Sequence, residues 1–133
     1  MRRVLLDANV LFSAAYRENS GLLALWRLPE TVLLASGYAI EEARRNLESS
    51  QARARLDDLL SGVQTVVEGA GLHLPDSVRL AEKDRPILAA AIAAGTTHLI
   101  TGDLKDFGPL LGRRIAGVLM QTPADFLKSK EKK

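Results

Sequence analysis

Short apolar runs separated by stretches of helical periodicity set the rhythm of this chain. Arg3–Leu6 is a brief apolar run ending at Asp7 and reads as a buried strand entering a loop. Asn9–Tyr16 and Gly21–Leu28 have helical patterns, the second closed by Pro29. Thr31–Ala35, β-branched at its start and flanked by Pro29 and Gly37, reads as a second strand. Ser36 supplies an N-cap for a helix to about Leu47, with Ile40, Ala43 and Leu47 recurring on one face. Gln51–Leu60 continues as another helix until Gly62, and Gln64–Glu68 is a third strand, followed by a loop over Gly69–Pro75. Asp84, with Pro86 two residues on, caps a helix that Gly95 ends. His98–Thr101 is a fourth strand broken by Gly102, Gly117–Met120 a fifth, and Pro123–Leu127 a short closing helix.

Strands alternating with helices at this spacing imply right-handed crossovers, and hence a parallel sheet covered on both faces. The expectation is an α/β domain over residues 1–127 with about five strands in the order 3-2-1-4-5, then a basic, flexible tail over 128–133. In such a sheet ligands bind beyond the carboxyl ends of the strands, where the strand order reverses. The expected order makes strands one and four neighbours at that point, so Asp7 and Asp103 share one crevice.

Composition narrows the function classes. A chain of 133 residues can build a self-sufficient core, and its 47% hydrophobic and 26% charged residues are those of an ordinary globular domain. Aromatics are only 5%, which leaves few of the platforms on which dedicated single-strand binders stack bases. The absence of Cys removes disulfides, thiol catalysis and zinc-thiolate sites, and fits a reducing interior. With no apolar leader and no run long enough to span a bilayer, a cytoplasmic location without a membrane partner is expected. The formal charge of +2 conceals an uneven distribution: Lys128–Lys133, with four Lys and one Glu, carries +3, and the body is near −1.

Four acids stand out: Asp7 after the first strand, Glu42 on a helix, Asp84 opening another, and Asp103 after the fourth strand. Taken singly, each has an ordinary explanation. Asp7 could cap the helix near Asn9, Asp84 is a natural N-cap, Asp103 after Gly102 is turn chemistry, and Glu42 could be a solvated helix residue. Their joint placement is harder to explain that way. Unit charges ~4 Å apart repel by about 4 kcal/mol at an effective dielectric near 20, so clustered carboxylates call for a counter-cation. An all-oxygen set suits Mg²⁺ or Mn²⁺ rather than zinc or copper, and such ions commonly also take phosphate oxygens. That chemistry is phosphoryl transfer with metal-activated water.

Four ordered segments then carry a resemblance. They are Leu5-Leu6-Asp7-Ala8-Asn9-Val10-Leu11 with Ser13; Ser36–Leu47 containing Glu41-Glu42-Ala43; Asp84–Gly95; and Thr96–Asp103, up to a closing Gln121–Phe126. In order and spacing the chain resembles PIN-domain proteins of the VapC kind, the toxins of bacterial and archaeal toxin–antitoxin pairs. The resemblance implies a metal-dependent endoribonuclease using Mg²⁺ or Mn²⁺. Asp7, Glu42, Asp84 and Asp103 would be its catalytic, metal-holding acids, and Asn9 and Thr101 polar partners that orient Asp7 and the metal waters. Ala8 replaces the Thr of many relatives. Glu41 and Glu42 lie at similar angles from the apolar stripe, so periodicity leaves both open; the family's acid tends to precede an apolar position, here Ala43, which selects Glu42. Asp106 is either a turn residue ahead of Phe107 or an extra acid.

Hydrolysis by such a site would leave a 5′-phosphate and a 3′-hydroxyl, with RNA preference drawn from groove contacts rather than the 2′-hydroxyl. Arg44, Arg45, Arg85 and Lys105, with Arg17, Arg113 and Arg114, are candidate phosphate contacts, although each alone is also ordinary surface charge. His98 in a strand and His73 in a loop read as packing or surface residues. Phe12, Tyr16 and Trp26 fall where the family commonly pairs subunits, which suggests a homodimer, and core packing accounts for them equally well. The implied partners are an RNA substrate and an antitoxin. Competing readings are a housekeeping RNA-processing PIN nuclease without antitoxin and a non-catalytic PIN-like RNA-binding scaffold. A haloacid-dehalogenase-type phosphatase would need Asp at position 9, where Asn stands, and a receiver domain would need an Asp after strand three, where Glu68, Gly69 and Ala70 provide none.

Overall fold

A computed structural model of the protein describes residues 1–67, 74, 78, 80 and 84–131. Its centre is a six-stranded sheet: β1 (Arg2–Leu6), β2 (Thr31–Ser36), β3 (Val63–Val66), β4 (His98–Ile100), β5 (Arg114–Ile115) and β6 (Val118–Gln121). The order across the sheet is β3-β2-β1-β4-β6-β5, parallel throughout except for the β5/β6 pair. The helices are α1 (Ala8–Tyr16), α2 (Gly37–Asn46), α3 (Ser50–Leu60), α4 (Arg85–Ala93), α5 (Leu104–Phe107) and α6 (Pro123–Glu131), with a 3₁₀ segment at Gly21–Arg27 and another at Gly108–Leu110. The expected α/β architecture and its parallel order are observed, with the predicted fifth strand appearing as β6.

Burial follows the pleat. Val4, Leu5 and Leu6 are all fully buried, because successive side chains point to opposite faces and both faces are covered. Val4 and Leu6 join a core with residues of α1, α2 and α3 and with Phe126 of α6. Leu5, Leu34 and Leu99 join the other core, built from α4, Phe107 and Leu110. The small residues Ala89, Ala90 and Ala91 are buried on α4 within that second core.

Three differences from the sequence reading matter. The edge strand β5 was not anticipated. It pairs with β6 through a two-residue loop in which Ala116 and Gly117 both have positive φ, 49° and 87°, as a type I′ hairpin turn demands. Asn-Gly would have announced that turn; Ala-Gly does not. Asp84 occupies the N-cap position of α4 but makes no side-chain capping bond, contrary to the expectation, and its own backbone is already helical. The closing helix continues past Leu127 to Glu131. The loop expected over 69–75 and His73 lie outside the described residues, apart from Leu74, which is buried.

Candidate active site

Adjacent in the sheet, β1 and β4 end together, and Asp7 N donates to the Ile100 carbonyl at 3.0 Å just beyond the last paired residues. The side chains that follow form one hydrogen-bonded network. Asp7 Oδ1 accepts from Ala8 N at 2.8 Å, which caps α1. Asp7 Oδ2 accepts from Thr101 Oγ1 at 2.8 Å and from Asn9 Nδ2 at 3.2 Å. Thr101 Oγ1 accepts in turn from Asp103 N at 3.0 Å, and Asn9 Oδ1 accepts from Gly102 N at 2.7 Å. Thr101 is fully buried, so its single hydroxyl couples the Asp7 carboxylate to the backbone that presents Asp103. Gly102 lies in a tight approach: a Cβ there would sit 3.2 Å from Asn9 Oδ1 and press on the side chain that bonds Gly102 N.

The electrostatics of Asp7 locate its neighbours. Burial pushes its carboxyl above the usual carboxylate range; the hydrogen bonds from Thr101 and Ala8 oppose that, and the charges of Glu42 and Asp103 add to it. Glu42 is carried by α2, which Ser36 starts by accepting from Ala39 N at 3.1 Å. Glu41 lies elsewhere: its side chain is 75% exposed and reaches Arg44 at 3.9 Å. Within the pair that periodicity left open, Glu42 is the residue that Asp7 senses.

Asp103 also belongs to a second grouping. Single carboxylate oxygens of Asp84, Asp103 and Asp106 all lie within 4.8 Å of one another, each residue half-buried. Asp103 Oδ1 accepts from Asp106 N at 3.0 Å and caps α5, and this turn brings Asp106 back beside it. The i, i+3 spacing of Asp103 and Asp106 is the sequence signal that could have grouped them. Asp7 and Glu42 are not in this trio. The carboxylates therefore form two overlapping sets, with Asp103 in both.

This donor set fits a hard divalent cation. It is all oxygen and converges from separate chain segments, and beside it Asp7 is driven toward its neutral form by burial, with the charges of Glu42 and Asp103 adding to it. Asp84, Asp103 and Asp106 could supply one oxygen each, with Asp7 and Glu42 beside them.

The basic candidates are less concentrated. Arg44 bridges α2 and α3 through Asp57 at 2.6 Å, and Arg85 reaches the Val78 carbonyl only at the long distance of 3.5 Å. Arg45 and Lys105 are exposed. His98 packs edge-on against Phe126 with ring centroids 4.9 Å apart, and its Nδ1 lies 2.8 Å from Thr97 Oγ1. Burial, then the charges of Arg2 and Arg114, hold the His98 imidazole below its ordinary range. Trp26 packs against the first core and donates to the Leu59 carbonyl at 3.0 Å. Phe12 and Tyr16 are in ring contact at 5.3 Å, beside an open groove that also includes Arg17 and Leu22.

The model of the PIN domain family matches residues 3–105, a span holding Asp7, Glu42, Asp84 and Asp103. Among solved structures, the chain is similar to one described as VapBC2 from Rickettsia felis bound to a DNA fragment from their promoter. The TM-score is 0.65 and the identity 17%, over 90% of this chain and 98% of that one, so the likeness is one of fold. No curated protein sequence matches.

Proposed function

Because the chain belongs to the PIN domain family, we propose that it is a Mg²⁺- or Mn²⁺-dependent endoribonuclease and the toxin of a toxin–antitoxin pair. The observation that carries the reading is the convergence of Asp7, Glu42 and Asp103 at the carboxyl ends of β1 and β4, with Asp84 and Asp106 completing a trio around Asp103. Charges gathered at this cost to the fold call for a cation.

Asp84, Asp103 and Asp106 would hold the ion, and Asp7 and Glu42 would complete its surroundings. When bound, it supplies the Lewis acidity that neutralises a scissile phosphate and makes water nucleophilic near neutral pH. The chain's own contribution is preorganisation. Thr101, Asn9 and Ala8 N fix Asp7 in one orientation, and Thr101 simultaneously fixes the backbone of Asp103, so the two carboxylates cannot drift apart. Burial makes the Asp7 oxygens readier to accept a proton from an incoming water than an exposed aspartate would be. Lys105, Arg85, Arg44 and Arg45 are the cations nearest in sequence to these acids; Arg44 is paired with Asp57, and in this reading the other three contact flanking phosphates. Products would carry a 5′-phosphate and a 3′-hydroxyl.

The toxin assignment draws on the fold shared with the VapBC2 structure, whose description includes promoter DNA. An antitoxin would cover the acidic crevice with an Arg or Lys of its own, replacing the metal as counter-charge. The groove between Phe12, Tyr16 and Leu22 offers a surface for pairing two copies of the chain. Among the described residues no helix is long and apolar enough to cross a membrane, and the site of action proposed is the cytoplasm, where RNA is accessible.

The test combines two measurements. Purified protein should cleave RNA with Mg²⁺ or Mn²⁺ and not with a chelator, and Asp103→Asn should abolish cleavage. Expression in a bacterium should arrest growth, and Asp7→Asn at matched levels should not. Cleavage without arrest would leave the nuclease and point to housekeeping RNA processing; no cleavage under any metal condition would reject the enzymatic reading.

A further inference from the structure

A row of cations crosses the sheet at the end opposite the acids. Arg2 lies two residues before Val4 on β1, and Val4 pairs with His98, the first residue of β4. Leu119 of β6 pairs with His98 on one side and with Arg114 of β5 on the other. Paired residues share a face and a strand repeats every two residues, so Arg2, His98 and Arg114 stand on one face of the sheet. Phe126 of α6 meets the His98 ring on that face. Since α6 leaves the carboxyl end of β6 and reaches the start of β4, it runs back toward the amino ends of the strands. It thereby carries the exposed Lys128 to the same end, and Lys130, Lys132 and Lys133 follow in sequence.

Acids do not balance this row. Among the described residues neither Arg2 nor Arg114 is ion-paired, and the charges acting on His98 are those two arginines and no carboxylate. Glu30 just ahead of β2 and Asp125 on α6 are both exposed. Like charges gathered without a counter-charge repel, as the acids do at the other end of the sheet, and a bound anion removes that cost.

Resting on the nuclease reading above, we propose that Arg2, His98 and Arg114 form a second RNA-binding site, which grips the phosphate backbone of the substrate away from the cut. From β1 to β5 the row crosses three strand spacings of about 4.8 Å each, roughly 14 Å in all. Stacked nucleotides advance about 3.4 Å each, so the row matches about four consecutive phosphates rather than one small anion. Such contacts anchor and orient a strand without reading its sequence. Five residues separate His98 from Asp103, at most about 18 Å of extended chain, so one RNA of modest length can engage both ends. A phosphate set between the two arginines offsets their charge at His98 and makes its imidazole easier to protonate.

The experiment uses the full chain carrying Asp103→Asn to prevent turnover, alone or with Arg2→Gln, Arg114→Gln or Arg114→Lys, each checked for an unchanged thermal melt. Binding of a fluorescein-labelled oligouridylate long enough to span the sheet is followed by anisotropy across salt concentrations. Arg2→Gln and Arg114→Gln should each weaken binding about 3- to 10-fold and reduce the slope of log affinity against log salt by about 0.7, and Arg114→Lys should retain most of both. The His98 ring signals in NMR, assigned by their loss in His98→Gln, should titrate at higher pH with the RNA bound than without it. In the active chain, Arg114→Gln should raise KM for the long RNA several-fold with kcat little changed, and KM for a tetranucleotide, too short to bridge the two ends, should not move. An unaltered salt slope in both glutamine variants, an unmoved His98 titration, or an equal rise in KM for the tetranucleotide overturns the proposal while the nuclease stands. So does displacement of the labelled RNA by oligoglutamate as effectively as by unlabelled RNA, which would assign the row to an acidic protein segment. Absence of RNA cleavage by the wild-type chain with Mg²⁺ or Mn²⁺ would overturn the nuclease reading itself, whatever the arginines bind.

Discussion

Replacing Asp7 with Asn should make the metal-free protein more stable, although Asp7 lies at the centre of the hydrogen-bonded network. The Asp7 carboxyl is raised above its ordinary value, chiefly by burial and further by Glu42 and Asp103, and the bonds from Thr101 and Ala8 do not fully offset this. The folded state therefore binds more protons than the unfolded chain between the ordinary aspartate value, ~3.9, and the higher folded one. Stability in the absence of metal falls as pH rises through that window, and the full penalty is present above it. Burial and the two neighbouring charges together disfavour the carboxylate by about 2 kcal/mol, and weakening a charge-assisted bond from Thr101 returns about 1 kcal/mol. The expected net gain is about 1 kcal/mol at pH ~7, or roughly 3–5 °C in melting temperature. The gain should vanish on acidification below the ordinary aspartate range, where residue 7 is neutral in both proteins. Adding Mg²⁺ at tenfold its Kd should stabilise the wild type by about 1.4 kcal/mol and the variant by much less, reversing their order. Thermal melts in chelator and in Mg²⁺ across pH measure all of this. A wild type that melts above Asp7→Asn in chelator near neutrality, or a difference that does not change with pH, would refute the argument that like-charge crowding and burial dominate this site.

Two further outcomes follow from particular contacts. Glu42→Gln should reduce RNA cleavage by at least tenfold while Glu41→Gln changes it less than about threefold, because Glu42 is the residue whose charge reaches Asp7 and Glu41 only pairs with Arg44 at the surface; parallel initial-rate measurements decide, and the reverse ranking would reassign the acid. Ala116→Asn should raise the melting temperature by a few degrees, about 1 kcal/mol, because Asn tolerates the left-handed backbone that costs Ala about 1–2 kcal/mol, without the entropy that Gly loses on folding; a lower melting temperature would show that the turn is not strained.

Most of the fold was legible because the signals that specify it are local and agree with one another. Val4-Leu5-Leu6 can be buried on both faces only in a covered sheet, and Ser36 is both the end of β2 and the cap of α2. What escaped was set by weak or nonlocal signals. The strand β5 is two residues long and is held in place by pairing with β6, so no run of apolar residues marks it. Asp84 has the sequence of a capping residue, with Pro86 following, yet its carboxylate groups with Asp103 and Asp106 instead of closing on its own helix. Propensity sees only the local alternative; the tertiary one appears once α4 is laid against the sheet.

The candidate site divides along the same line. Asp7 and Asp103 could be read from strand ends, because the carboxyl edge of a parallel sheet fixes where they emerge. The choice of Glu42 could not be made by periodicity: neighbouring helix positions differ by about 100°, and both glutamates lie at similar angles from the apolar stripe of α2. Three-dimensional placement separates the two: one glutamate faces solvent and Arg44, while the other adds to the charge felt by Asp7. Asp106 depended on an interaction the sequence states only faintly: Asp103 Oδ1 binds Asp106 N, and that turn brings the later carboxylate to the earlier one. The same residue that caps α5 thus assembles the trio, while its backbone N–H is held by the hydroxyl that holds Asp7. Local capping and long-range charge clustering meet in Asp103, and this explains why acids with ordinary local roles, read one at a time, concealed a shared one.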